Sequence, residues 1–167
     1  MARIDAGMRL PQKIISGGQA GADRGALDFA MVQGVNSGGF CPRGRRAEDG
    51  PIPARYTLTE LGSPDYPPRT QRNVAESDAT VIFNRGQTDS RGTSLTARCA
   101  KEAGKPFLVI RGCEEVAAGV DGLAAFLSAH RPVTLNVAGN SESKAPGMSA
   151  YVVAVLSALW ARQKSLR

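Results

Sequence analysis

The chain has 167 residues, enough for one domain with a real core. Hydrophobic residues make up 42% and charged residues 22%, values of a soluble globular protein, while the 5% aromatic content speaks against base stacking along a single strand. Lys and Arg outnumber Asp and Glu by 21 to 15, so the net charge of +6 suits a polyanionic ligand, with a solvated basic face as the plain alternative. Three cysteines (Cys41, Cys99, Cys113) without a C-x-x-C pair fit a reducing cytosol better than a disulfide framework or a structural zinc site. No signal-peptide core or membrane-length segment is present, so a cytoplasmic protein without a membrane partner is expected.

Residues 1–12 read as a flexible leader, followed by a single ligand-binding domain over 13–165. The stretch Lys13–Arg24 reads as a short buried strand, a glycine turn and the first turns of a helix. The helix runs to Gln33, with Ala26, Leu27, Ala30 and Met31 on one face and Gly34 as its stop. Gly17, Gly18 and Gly21 allow tight backbone and close approach, so loop N–H groups and the helix start can meet an anion. Asp23 lies in the first helical turn, where a carboxylate suits the helix dipole. The spacing satisfies neither the dinucleotide nor the Walker fingerprint.

Asn36–Phe40 reads as a glycine-broken strand, and Cys41–Gly50 as a polar loop clustering Arg43, Arg45 and Arg46 beside Gly44, Glu48 and Asp49. Such a loop after a strand either contacts ligand or pairs its own charges in water. Cys41 could ligate a soft metal if the arginines lowered its pKa, or could be a small core residue. Pro51–Pro68 is a long proline-rich connection with room for a short helix near Thr57–Leu61. A helix over Arg69–Ser77 and a β-branched strand over Asp78–Phe83 follow.

Asn84–Thr93 is a second glycine loop, opening a helix over Ser94–Ala103 with Thr93 or Ser94 as its cap and Gly92 leaving room for a ligand. Phe107–Ile110 reads as a strand, Glu114–Ala129 as a helix and Val133–Ala138 as the last strand. Gly139–Gly147 forms a third polar loop before a final helix over Met148–Gln163, whose stripe of Tyr151, Val152, Val155, Leu156, Leu159 and Trp160 reads as core. Five strands alternating with helices predict a three-layer α/β domain with a mostly parallel sheet. Right-handed crossovers gather the glycine and arginine loops at one sheet edge. A first strand beside Asp78–Phe83 would set two anion loops across a switch point.

Taken together, Ile15-Ser-Gly-Gly-Gln-x-Gly-x-Asp-Arg24, the segment from Gly39 through Cys41 to Gly50, Arg69-Thr-x-x-Asn73, Gly92-Thr-x-Leu-Thr96 and Leu135-Asn-Val-Ala-Gly139 resemble the family of putative molybdenum cofactor carrier proteins. The resemblance runs from about residue 13 to 160 and implies a Rossmann-like fold related to the lysine-decarboxylase-like phosphoribohydrolases. It further implies a homo-oligomer that binds a phosphorylated small molecule, molybdenum cofactor above all, and that serves molybdoenzymes or cofactor-synthesis proteins. By position, Gly17, Gly18, Gln19, Gly21, Asp23 and Arg24 would form one phosphate-facing loop. Gly92, Thr93 and Thr96 would form the other, with Arg43, Gly44, Arg45, Arg46, Asn84 and Gly139 nearby. Ala20 departs from the family's usual threonine, and Met148-Ser149 from its usual Ile-Tyr. The glutamate that does acid/base work in the phosphoribohydrolases is missing after Gly92-Thr93, which favours binding over catalysis. A nucleotide-processing enzyme and, further off, a nucleic-acid-binding protein are the competing readings.

Overall fold

The computed structural model describes residues 8–86, 88–112 and 115–166. Its centre is a five-stranded sheet, all parallel, ordered β2-β1-β9-β7-β8. These strands are β1 (Lys13–Ile15), β2 (Asn36–Gly38), β7 (Ala79–Asn84), β8 (Phe107–Arg111) and β9 (Thr134–Gly139). The helices are α1 (Ala22–Gln33), α2 (Tyr66–Ala75), α3 (Arg91–Glu102), α4 (Val116–His130) and α5 (Met148–Ser165). Helices α1, α4 and α5 pack together on one face, and α2 packs with α3 on the other, giving the three-layer α/β architecture. Among the described residues no helix is long and apolar enough to cross a membrane.

The two faces are built differently. Ile14, Ala79, Val81, Phe83, Leu135 and Val137 point into the main core with α1, α4 and α5. Strand alternation sends Thr80, Asn84 and Asn136 to the opposite side, so the face under α2 and α3 carries buried polar groups. All six residues of the α5 stripe are buried, and Phe29 meets Trp160 edge-on at 4.8 Å. Met31 of α1 is instead 44% exposed, its place in the core taken by Phe29. Met8, in the expected leader, is buried, and its carbonyl accepts from Gln163 Nε2 at 3.1 Å; residues 1–7 lie outside the described residues.

Several expected elements shift. β1 does not lie beside β7, because α4 carries the chain back across the sheet and seats β9 between them, with Asn136 in register with Ile15 and Thr80. The expected strand over Asn36–Phe40 breaks at Gly39; β3 (Phe40–Cys41) leaves the sheet and pairs with β6 (Thr59–Glu60), where a short helix was expected. β4 (Arg46–Ala47) and β5 (Gly50–Pro51) form a tight hairpin inside the arginine loop. α2 begins at Tyr66 rather than Arg69, because Pro67 and Pro68 occupy its first turn, where a missing N–H costs nothing. α3 begins at Arg91, with Ser90 as cap and not Thr93 or Ser94. α4 begins at Val116; Glu114 and Cys113 lie outside the described residues.

Candidate functional site

A cleft of about 440 Å³ opens at the carboxyl ends of β1 and β9, bounded by the first loop, the N-terminal turns of α2 and α3, and the third loop. It exists because the polar face of the sheet is not sealed by α2 and α3. Its volume lies within the range of about 300–1,000 Å³ usual for small-ligand sites.

The first loop is held closed by its own side chains. Asp23, only 4% exposed, accepts from Gln19 N at 3.2 Å and from Arg69 Nη1 at 2.8 Å. Burial raises the pKa of its carboxyl, with Arg69 and the loop amides of Gln19 and Gly17 pulling the other way. The Asp23 carboxylate thus occupies the place at the start of α1 where an outside anion was expected. Arg69 lies across Gly17 so closely that a Cβ there would overlap its guanidinium. Gln19 Oε1 accepts from Ala20 N at 3.0 Å and Glu48 N at 2.8 Å, which ties the first loop to the arginine loop.

Glu48 continues this tie to the third loop, accepting from Ser143 N at 3.0 Å and Ser143 Oγ at 2.5 Å. Partial burial alone would raise its pKa, but the Ser143 hydrogen bonds hold it below the usual value. Arg24 turns outward to Asp49 and also donates to Gly18 O at 3.1 Å. Its bond lowers the Asp49 pKa.

The second loop hangs on a buried amide network. Asn84 Oδ1 accepts from Asn140 Nδ2 at 3.0 Å and Thr93 Oγ1 at 3.3 Å, while Asn84 Nδ2 donates to the Gly86 and Thr88 carbonyls. Ser90 Oγ accepts from Thr93 N at 3.2 Å and so caps α3, and Ser90, Arg91 and Gly92 at the start of that helix line the cleft.

Of the residues expected from sequence, Gly17, Gln19, Asp23, Gly92, Thr96 and Gly139 line the cleft. Gly21, Arg24 and Thr93 are not part of its lining, and Asn84 borders a smaller neighbouring hollow. Gly18 faces away: a Cβ there would strike Leu58 and Ile52. The arginine loop corrects the expectation most. Arg43, Gly44 and Arg46 are exposed outside the cleft, and Arg45 turns inward to donate to the carbonyls of Ile52, Pro53 and Tyr56, each at 2.8 Å. Cys41 is fully buried with Leu27, Ala47, Ile52 and Tyr56, and burial raises its thiol pKa despite the Arg45 charge, so it is a core residue.

The cations that do line the cleft are Arg69, Arg91 and Lys144. None of them was among the expected site residues. Arg69 was visible only as part of the motif Arg69-Thr-x-x-Asn73, and Arg91 and Lys144 fall in stretches that read from sequence as polar loops, where any exposed cation would look the same.

The chain matches the circularly permutated YpsA SLOG family over residues 14–160. A solved structure of a putative molybdenum carrier protein from Syntrophus aciditrophicus SB is 37% identical, superposes with a TM-score of 0.85, and pairs 89% of this chain with 94% of that one. No curated protein matches. The family match covers most of the chain and reaches into all five strands of the central sheet, and the solved relative shares both sequence and fold, so the chain belongs to the circularly permutated YpsA SLOG family.

Proposed function

We propose that this protein binds and carries a phosphorylated small molecule, with the pterin phosphate of molybdenum cofactor as its cargo. The observation that carries the reading is the cleft itself, whose lining combines the exposed cations Arg91 and Lys144 with the first turn of α3, the positive end of a helix dipole. The name of the solved relative supports a carrier role. The phosphate is assigned to the second loop and not the first, because Asp23 and Arg69 already engage the first loop. Among the described residues no group of three or more His, Cys, Asp or Glu side chains is placed to hold a metal ion. In this reading the chain grips the organic part of the cargo, and the receivers would be molybdoenzymes or proteins of cofactor synthesis.

The test is to mix the purified chain with cofactor released from a molybdoenzyme and follow pterin fluorescence through gel filtration. Pterin is expected to travel with the protein and to be lost when Arg91 and Lys144 are both changed to Ala. Pterin that elutes free of the wild-type protein would refute the carrier reading. Release of free base from nucleoside monophosphates would replace it with the enzymatic one.

A further inference from the structure

Arg69 stands apart from the other cations of the cleft. Arg91 and Lys144 are exposed, so water can serve their N–H groups. The Arg69 side chain is only 14% exposed, and it lines the cleft from the start of α2. A guanidinium has five N–H donors. Among the described residues Arg69 uses only one of its nitrogens, Nη1, which donates to Asp23 Oδ2 at 2.8 Å. Nε is shut away from water and has no acceptor. Nη2, on the same edge of the fork as Nε, has no hydrogen-bond partner among the described residues either. A buried donor without an acceptor is rare and costly.

The free edge is also one that oxyanions use. Nε and Nη2 project two parallel N–H groups, a spacing that carboxylate and phosphate oxygens match. Asp23 does not cancel the charge on that side, because it sits against Nη1 and shares its own charge with the amides of Gln19 and Gly17. Position separates this edge from the phosphate site. Arg69 covers Gly17 of the first loop, which follows β1, whereas Arg91 and Lys144 stand by the second loop, which follows β7. β9 runs between those strands, which puts the two loops about 10 Å apart at the ordinary strand spacing. One phosphate cannot reach both.

We infer that Arg69 is a second anion site of the cleft, and that the ligand carries two separate acidic groups. Its phosphate lies at the second loop, and a second oxyanion group takes the Nε–Nη2 edge of Arg69. The inference rests on the anion-binding reading and adds the second acidic group. One hydrogen bond holds the guanidinium, so a tilt about it turns the free edge toward the cleft while Asp23 stays paired. A ligand with a single acidic group leaves Nε buried without an acceptor and binds more weakly.

Calorimetric titrations with fructose 6-phosphate and fructose 1,6-bisphosphate test this, since the second sugar differs only by a phosphate at its far end. Wild-type protein is expected to bind the bisphosphate about ten-fold or more tightly than the monophosphate. Arg69→Lys keeps a cation beside Asp23 but loses the paired N–H edge, and is expected to erase the difference. Should Arg69→Lys not fold, Arg69→Met with Asp23→Asn removes the ion pair together and carries the same expectation. Equal affinity of the wild type for the two sugars overturns the inference, whatever the variants do. A difference that survives Arg69→Lys overturns it too, because it then comes from overall charge. Binding of fructose 6-phosphate leaves the anion-binding reading standing in either case, whereas a wild type that binds neither sugar removes both.

Discussion

Arg45 closes the long proline-rich connection by donating to three of its carbonyls. Arg45→Ala should therefore cost about 2 kcal/mol in urea unfolding and leave ligand affinity unchanged. Gly18 holds a φ of 77° with Leu58 and Ile52 directly over it. Gly18→Val should lower stability by about 2 kcal/mol or more, visible as a lowered melting temperature, through strain and overpacking together. Arg69→Met should be more damaging, because it strands a buried Asp23 carboxylate and costs about 3 kcal/mol at neutral pH. The sign with pH follows from the part of the Asp23 pKa that Arg69 sets: burial raises it and Arg69 pulls it down, so losing Arg69 raises it further, and the deficit of the variant shrinks in acid, where Asp23 is protonated in both proteins, and grows as pH rises. Unfolding curves at about pH 4 and pH 8 would show it. A deficit independent of pH would mean that the Asp23 charge is not its source.

Between elements, the cleft depends on side chains that tie one loop to the next. Ser90 caps α3, and Ser90→Ala should cost about 1 kcal/mol by urea unfolding and loosen the second loop, since Thr93 hangs on the same hydroxyl. Glu48 joins the arginine loop to the third loop through Ser143. Its depressed pKa means that this tie stabilises the fold above the ordinary carboxylate range and is lost as pH falls below about 4. Hydrogen exchange at the Ser143 amide should accelerate over that interval. Unchanged protection would show that the loop is held by something else. The element boundaries were least legible where local rules compete: Pro67 and Pro68 read as loop because proline breaks helices, yet the first helical turn is where proline is tolerated. The reading of 57–61 as helix failed because the pairing partner of β6, at Phe40–Cys41, lies far back in the chain.

At the scale of the whole molecule, a sheet apolar on one face and polar on the other decides where a ligand can go. Leu135 and Val137 of β9 enter the main core, whereas Asn136 and Ala138 face the cleft. Ala138→Leu should therefore fill the cleft and abolish ligand binding while the melting temperature stays within a few degrees; a large loss of stability would place that side chain in packed core. The sequence by itself determined the α/β alternation, the parallel sheet, the α5 core stripe and the gathering of loops at one edge, because periodicity and crossover handedness are local properties of the chain. Only the tertiary structure decided that β9 sits between β1 and β7, since strand order depends on which crossover returns across the sheet. It also decided that Arg69, Arg91 and Lys144 line the cleft and that Arg45 does not. A cation reads the same in sequence whether it faces a ligand or its own backbone, and the carbonyls that capture Arg45 are brought to it only when the connection folds over it.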